Sequence, residues 1–281
     1  MAPLLALLLL GYCATALGVF AYSRSGAKGI AKIGFSLSDC FLFFFLCVCV
    51  LLGGAGMASI VENSLYGRSD WAVFAPTACL QLFAIAGIFV FGKYSTFGGF
   101  GFFRSAGLAD VVCGVKYFLM SLLVMPFAIL LSYYCLKIST GETPQQQDVI
   151  AVFRSIKDWK AIALAVFSIV VLAPVAEELF FRGALYGILR DGLFGEAFMG
   201  RFAPPEKAAA FLSAVCVSLI FAAIHRNALA FFPLFTMGMM FVGCYAKRGS
   251  ILSAIVFHGL FNALNVALIL GLGDLASNGN L

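Results

Sequence analysis

Apolar residues fill this chain in runs of about twenty, separated by short polar stretches, and runs of that length suit helices that cross a bilayer. The first run is Pro3–Tyr22, and a basic connection with Arg24, Lys28 and Lys32 follows it. It has no positive n-region, although Ala14-Thr15-Ala16 is a passable cleavage pattern, so it reads as a retained first helix. Cys40–Val61 makes a second span, Glu62–Asp70 a polar connection, and Ala72–Phe91 a third span. Gly92–Gly107 is rich in Gly and Phe and reads as an interfacial loop or re-entrant turn. It contains no G-x-x-x-x-G-K-[ST], so its glycines do not make a phosphate loop.

Val112–Ile138 is the fourth span, with Lys116 near its start, where its stem can snorkel. The longest polar segment, Ser139–Lys160, comes next and divides the chain into N-terminal membrane helices (1–138), a polar loop (139–160) and a C-terminal membrane region (161–281). The fifth span begins near Ala161 and runs to Leu189 through Pro174, longer than a membrane needs, so a tilt or a kink at the proline is expected. A loop, Arg190–Lys207, leads to Ala208–Ile224, Ala228–Ala246 and Ile251–Leu272. The expected fold is therefore all-α, a polytopic membrane bundle of about eight transmembrane helices.

Composition agrees with this pattern: 63% of residues are hydrophobic, 11% are charged and the mean hydropathy is +1.04. These values exclude a soluble domain. The net charge of +5 is spread through loops, with no basic stripe for nucleic acid, and a small excess of Lys and Arg on one side places the N-terminus outside. Nine cysteines lie almost wholly within apolar runs, an odd number without a disulfide framework, and Cys47-x-Cys49 does not match C-x-x-C.

Against this background one stretch stands out, Ala173–Leu189, where Glu177, Glu178 and Arg182 sit inside apolar sequence. A charge at mid-membrane costs ~2.5–3.5 kcal/mol on insertion scales, so three so close together must pair, face the bundle interior or do chemistry. Glu178 and Arg182 are i and i+4 on one helix face and suit an ion pair, while Glu177 points about 100° away. The only histidines are His225, ending Phe221-Ala-Ala-Ile-His225, and His258, beginning His258-Gly-Leu-Phe-Asn262. His258 and Asn262 share a face.

Two chemistries fit this set. An unpaired Glu177 beside imidazoles can take a proton from water, while His and Asn supply donors to an oxyanion. Alternatively, Glu177, His225 and His258 form a His₂Glu ligand set for a divalent metal such as Zn²⁺. The sixth span runs opposite to the fifth, which sends Glu177 and His225 towards opposite faces unless the fifth breaks at Pro174 or the sixth is longer.

The ordered motifs E-E-x-x-x-R (Glu177 to Arg182), F-x-x-x-H (Phe221 to His225) and H-x-x-x-N (His258 to Asn262) resemble the CAAX-protease and bacteriocin-processing membrane endopeptidases, the type II CAAX prenyl endopeptidase or lysostaphin-resistance-like family. The resemblance covers about Ala161–Leu272. It implies an intramembrane peptidase acting on a membrane-associated polypeptide, with Glu177 activating water and His225 sharing that water or its proton. His258 and Asn262 would stabilise the oxyanion, Glu178 and Arg182 would form a structural pair, and the metal stays open. Competing expectations are a non-catalytic scaffold or bacteriocin-immunity protein of the same fold, and a transporter or proton relay, for which the chain shows no internal repeat.

Overall fold

The computed structural model describes residues 2–25, 37–64, 69–94, 107–141 and 156–277. Those residues are all helical apart from short connections, and eight helices are long and apolar enough to cross a membrane. In chain order they are α1 (Ala2–Arg24), α2 (Leu37–Ser64), α3 (Ser69–Tyr94) and α4 (Leu108–Thr140). The second half supplies α5 (Trp159–Leu193), α6 (Glu206–Ile224), α7 (Ala228–Arg248) and α8 (Ile251–Ser277). The chain is a multi-pass integral membrane protein. All nine cysteines are free.

The helix ends follow from local chemistry. Asp158 caps α5, one carboxylate oxygen accepting from the Lys160 N–H at 2.9 Å and the other from Trp71 Nε1 at 2.8 Å. Asp70 in turn accepts from the N–H groups of Lys157 and Asp158, so the starts of α3 and α5 are tied together. Most of Gly92–Gly107 and of Ser139–Lys160 lies outside the described residues. The stretch expected to be a loop from Arg190 begins as helix instead, because α5 continues to Leu193. Arg190 can stay on it: Asp191 accepts from its Nε at 2.7 Å, and its guanidinium lies 5.6 Å from the Tyr186 ring centroid.

Packing centres on α4, which touches α1, α7 and α8, while α5 touches α3, α6 and α8. Gly114 lets α4 approach α8: a Cβ there would lie 2.7 Å from the Ser253 carbonyl oxygen. Nearby, the fully buried Asp110 carboxylate accepts from Arg248 Nε at 2.6 Å and links the start of α4 to the end of α7. Large apolar side chains on α2, among them Phe41, Phe44, Phe45, Leu51 and Leu52, remain exposed, as lipid-facing positions do in a bilayer.

Pro174 shapes α5 from within. Proline has no N–H to donate and collides with the carbonyl four residues earlier, here Val170. The helix widens into a π turn over Ser168–Leu172, and this is the form the expected irregularity takes. The carbonyls of the widened turn face α8, where Asn262 Nδ2 donates to Ile169 O at 2.9 Å. A Cβ on Gly259 would sit 3.0 Å from Val170 O, so glycine permits this approach.

The α4–α8 contact is testable. Gly114→Ala is expected to destabilise the protein by about 1–3 kcal/mol, because the added methyl meets a backbone oxygen that cannot rotate away. A lower melting temperature in detergent would show it, and an unchanged one would contradict the contact.

Candidate active site

Glu178 and Arg182 lie one turn apart on α5 and are almost completely removed from solvent, at 0% and 1% exposure. Arg182 Nη1 donates to Glu178 Oε1 at 3.1 Å, and Nη2 donates to the Gly238 carbonyl of α7 at 3.3 Å. The guanidinium also lies 4.6 Å from the Phe221 ring centroid on α6 and 4.8 Å from that of Phe241 on α7. These aromatic faces help hold a cation that has lost its water. Gly238 fits against Ser218 of α6, with its would-be Cβ 2.8 Å from the Ser218 Cβ, so the two helices close around the arginine.

The same Glu178 oxygen lies 2.9 Å from His258 Nδ1, although the two residues are 80 apart in the chain. The His258 ring stacks on Phe241, with centroids 4.6 Å apart and planes at 25°, and it meets Phe221 edge-on at 6.2 Å. Its other nitrogen, Nε2, lies 3.9 Å from Glu177 Oε2. That gap is too long for a direct hydrogen bond and has the scale of a water-mediated contact. Glu177 Oε2 is itself buried without a hydrogen-bond partner, although 28% of the side chain is exposed. Glu178 Oε2 and Arg182 Nε are also buried without partners, so polar capacity remains at the centre of an apolar bundle.

Four of the residues expected from sequence, Glu177, Glu178, Arg182 and His258, thus form one cluster. Asn262 stands one turn beyond His258 on α8 and reaches the cluster's helix through Ile169. His225 is set apart. It caps the C-terminal end of α6, is exposed, and has Nδ1 2.6 Å from the Phe221 carbonyl. The Phe221 ring packs against both histidines, with centroids 4.8 Å from His225 and 6.2 Å from His258. The turn that follows is structural: Arg226 has φ 51°, and Asn227 caps α7 by accepting from the Ala230 N–H at 3.1 Å.

This arrangement does not fit the expected metal ligand set of Glu177, His225 and His258. Among the described residues no three His, Cys, Asp or Glu side chains gather as a metal site. His258 turns Nε2 towards Glu177, but the third expected ligand, His225, stands exposed at the end of α6. The sequence reading also missed the parts played by Phe221, Phe241 and Gly238. Phe221 had a local signal, because it opens the F-x-x-x-H motif, whereas Phe241 and Gly238 had none.

The buried pair sets a stability expectation. Arg182→Ala should cost about 3–5 kcal/mol, since it strands Glu178 in a low-dielectric interior. Thermal denaturation in detergent measures this, and a wild-type melting temperature would contradict the pairing.

Comparison with known proteins bears on the same region. No curated protein and no solved structure matches the chain. Residues 159–264, which run from α5 into α8 and include every side chain of the cluster, match the family model described as Type II CAAX prenyl endopeptidase Rce1-like.

Proposed function

We propose that the protein is an intramembrane endopeptidase that hydrolyses a peptide bond of a membrane-associated polypeptide with a water activated by Glu177. The observation that carries this reading is the buried, unpartnered Glu177 Oε2, aimed at His258 Nε2 across 3.9 Å within the bundle. The match of residues 159–264 to a CAAX prenyl endopeptidase family model supports the reaction class and a polypeptide substrate.

In this reading the Glu177 carboxylate takes a proton as the water oxygen attacks the scissile carbonyl carbon. Negative charge then collects on the former carbonyl oxygen and needs donors placed in advance. Asn262 is assigned to it through the amide hydrogen not engaged by Ile169, and His258 through Nε2 in its protonated form. Collapse of the tetrahedral intermediate breaks the C–N bond, and the departing amine takes the proton from Glu177. His225, exposed at the end of α6, is assigned to the route by which water and protons reach the cluster. A scaffold that binds without cutting would keep the same side chains, so turnover that depends on Glu177 separates the two readings.

The test uses detergent-purified protein and a panel of membrane-tethered and prenylated reporter peptides. Glu177→Gln should lower kcat by about 10²–10⁴-fold with an unchanged melting temperature. Binding of reporters without cleavage by the wild type would favour the scaffold instead. His225→Ala should lower kcat by about 10-fold or more and leave stability within about 0.5 kcal/mol, because its side chain is exposed. Cleavage should persist in a chelator, since His225 stands exposed at the end of α6 and no third donor joins Glu177 and His258 among the described residues; loss in chelator with recovery on added zinc would overturn that conclusion.

A further inference from the structure

We infer that Glu178 is a positioning residue for His258, fixing which nitrogen of the imidazole faces Glu177, and is more than the ion-pair partner of Arg182. The inference rests on the proposed peptidase reading for its consequence, but on geometry for its substance. One oxygen, Glu178 Oε1, receives both Arg182 Nη1 at 3.1 Å and His258 Nδ1 at 2.9 Å. Arginine only donates, and a carboxylate paired with it only accepts, so the hydrogen between Glu178 and His258 belongs to Nδ1. The tautomer is thereby set, as carboxylates set it for working histidines elsewhere.

The ring's orientation is held as well. Phe241 stacks on one face at 4.6 Å and Phe221 meets it edge-on at 6.2 Å. A flip of the imidazole would break the Nδ1 contact with Glu178, so Nε2 stays directed at Glu177 Oε2. As a neutral ring His258 presents Nε2 as an acceptor to a water shared with Glu177; as an imidazolium, protonated from solvent before the water attacks, it presents Nε2–H to the oxyanion. Glu178 thus acts on a substrate it does not touch. Arg182 has its own part, holding the shared oxygen in place through Nη1.

A purely structural ion pair makes a different prediction. Replacing both members of a buried pair with apolar side chains of similar volume is often neutral or stabilising, because no charge is left stranded. The discriminating variant is therefore Glu178→Met combined with Arg182→Met. We expect it to keep the wild-type melting temperature within a few degrees while kcat falls about 100-fold and KM changes little.

The chain has two histidines, so ¹⁵N NMR of histidine-labelled protein in bilayers, with His225→Gln for assignment, reads His258 directly. The wild type should show a hydrogen-bonded Nδ1–H, the double variant a mixture of tautomers. Glu178→Gln, with its carbonyl at the Oε1 position and its amide at the unpartnered Oε2 position, should retain the Nδ1–H signature. Wild-type turnover in the double variant, or an unprotonated Nδ1 in the wild-type spectrum, would overturn the inference. If the double variant fails to fold, the wild-type spectrum decides alone. A wild type that cleaves no reporter would count against the peptidase reading but would leave the spectral result standing.

Discussion

A guanidinium buried in a membrane bundle is the constraint from which the arrangement of the second half follows. Arg182 has no access to water, so its charge is met by Glu178 on its own helix, its second amino group by a carbonyl of α7, and its faces by Phe221 and Phe241. These partners come from three helices, and satisfying all of them brings α5, α6 and α7 to one point. Glu178 then extends the network to α8 through His258. A buried pair of this kind adds little net stability compared with apolar packing, but losing one member is costly, so it fixes one arrangement against alternatives.

The second organising feature is the proline of α5. By forcing a π turn over Ser168–Leu172, Pro174 leaves carbonyls facing α8 just before the two glutamates. Asn262 bonds to one of them, and Gly259 allows the approach to the next. The face of α8 that carries His258 and Asn262 is therefore docked against the stretch of α5 that carries Glu177. An irregularity that would weaken an isolated helix here sets the relative height of Glu177, His258 and Asn262.

Much of this was legible in the sequence, for physical reasons that differ from place to place. The eight spans stand out because a bilayer demands long apolar runs, and the pairing of Glu178 with Arg182 follows from helical spacing alone. The extension of α5 to Leu193 was not legible, since Arg190 and Asp191 read as loop until their pairing and the nearby Tyr186 ring are seen. The expected conflict between Glu177 and His225 eases because Glu177 lies near the middle of α5, and because Phe221, one turn before His225, already touches His258. The contact between Glu178 and His258 spans 80 residues, and no local rule predicts it. The same is true of the exposed place of His225 at the end of α6, so the sequence alone leaves a zinc ligand set open.

The central claim is that a peptide bond is cut in the membrane by a water that Glu177 activates. Terminal proteomics of membranes from cells carrying either the wild type or Glu177→Gln, expressed at equal levels, tests it whatever the substrate is. The account predicts a set of new carboxyl termini on membrane-associated polypeptides in the wild type that is absent from the variant. Identical sets of termini in the two membranes would contradict it.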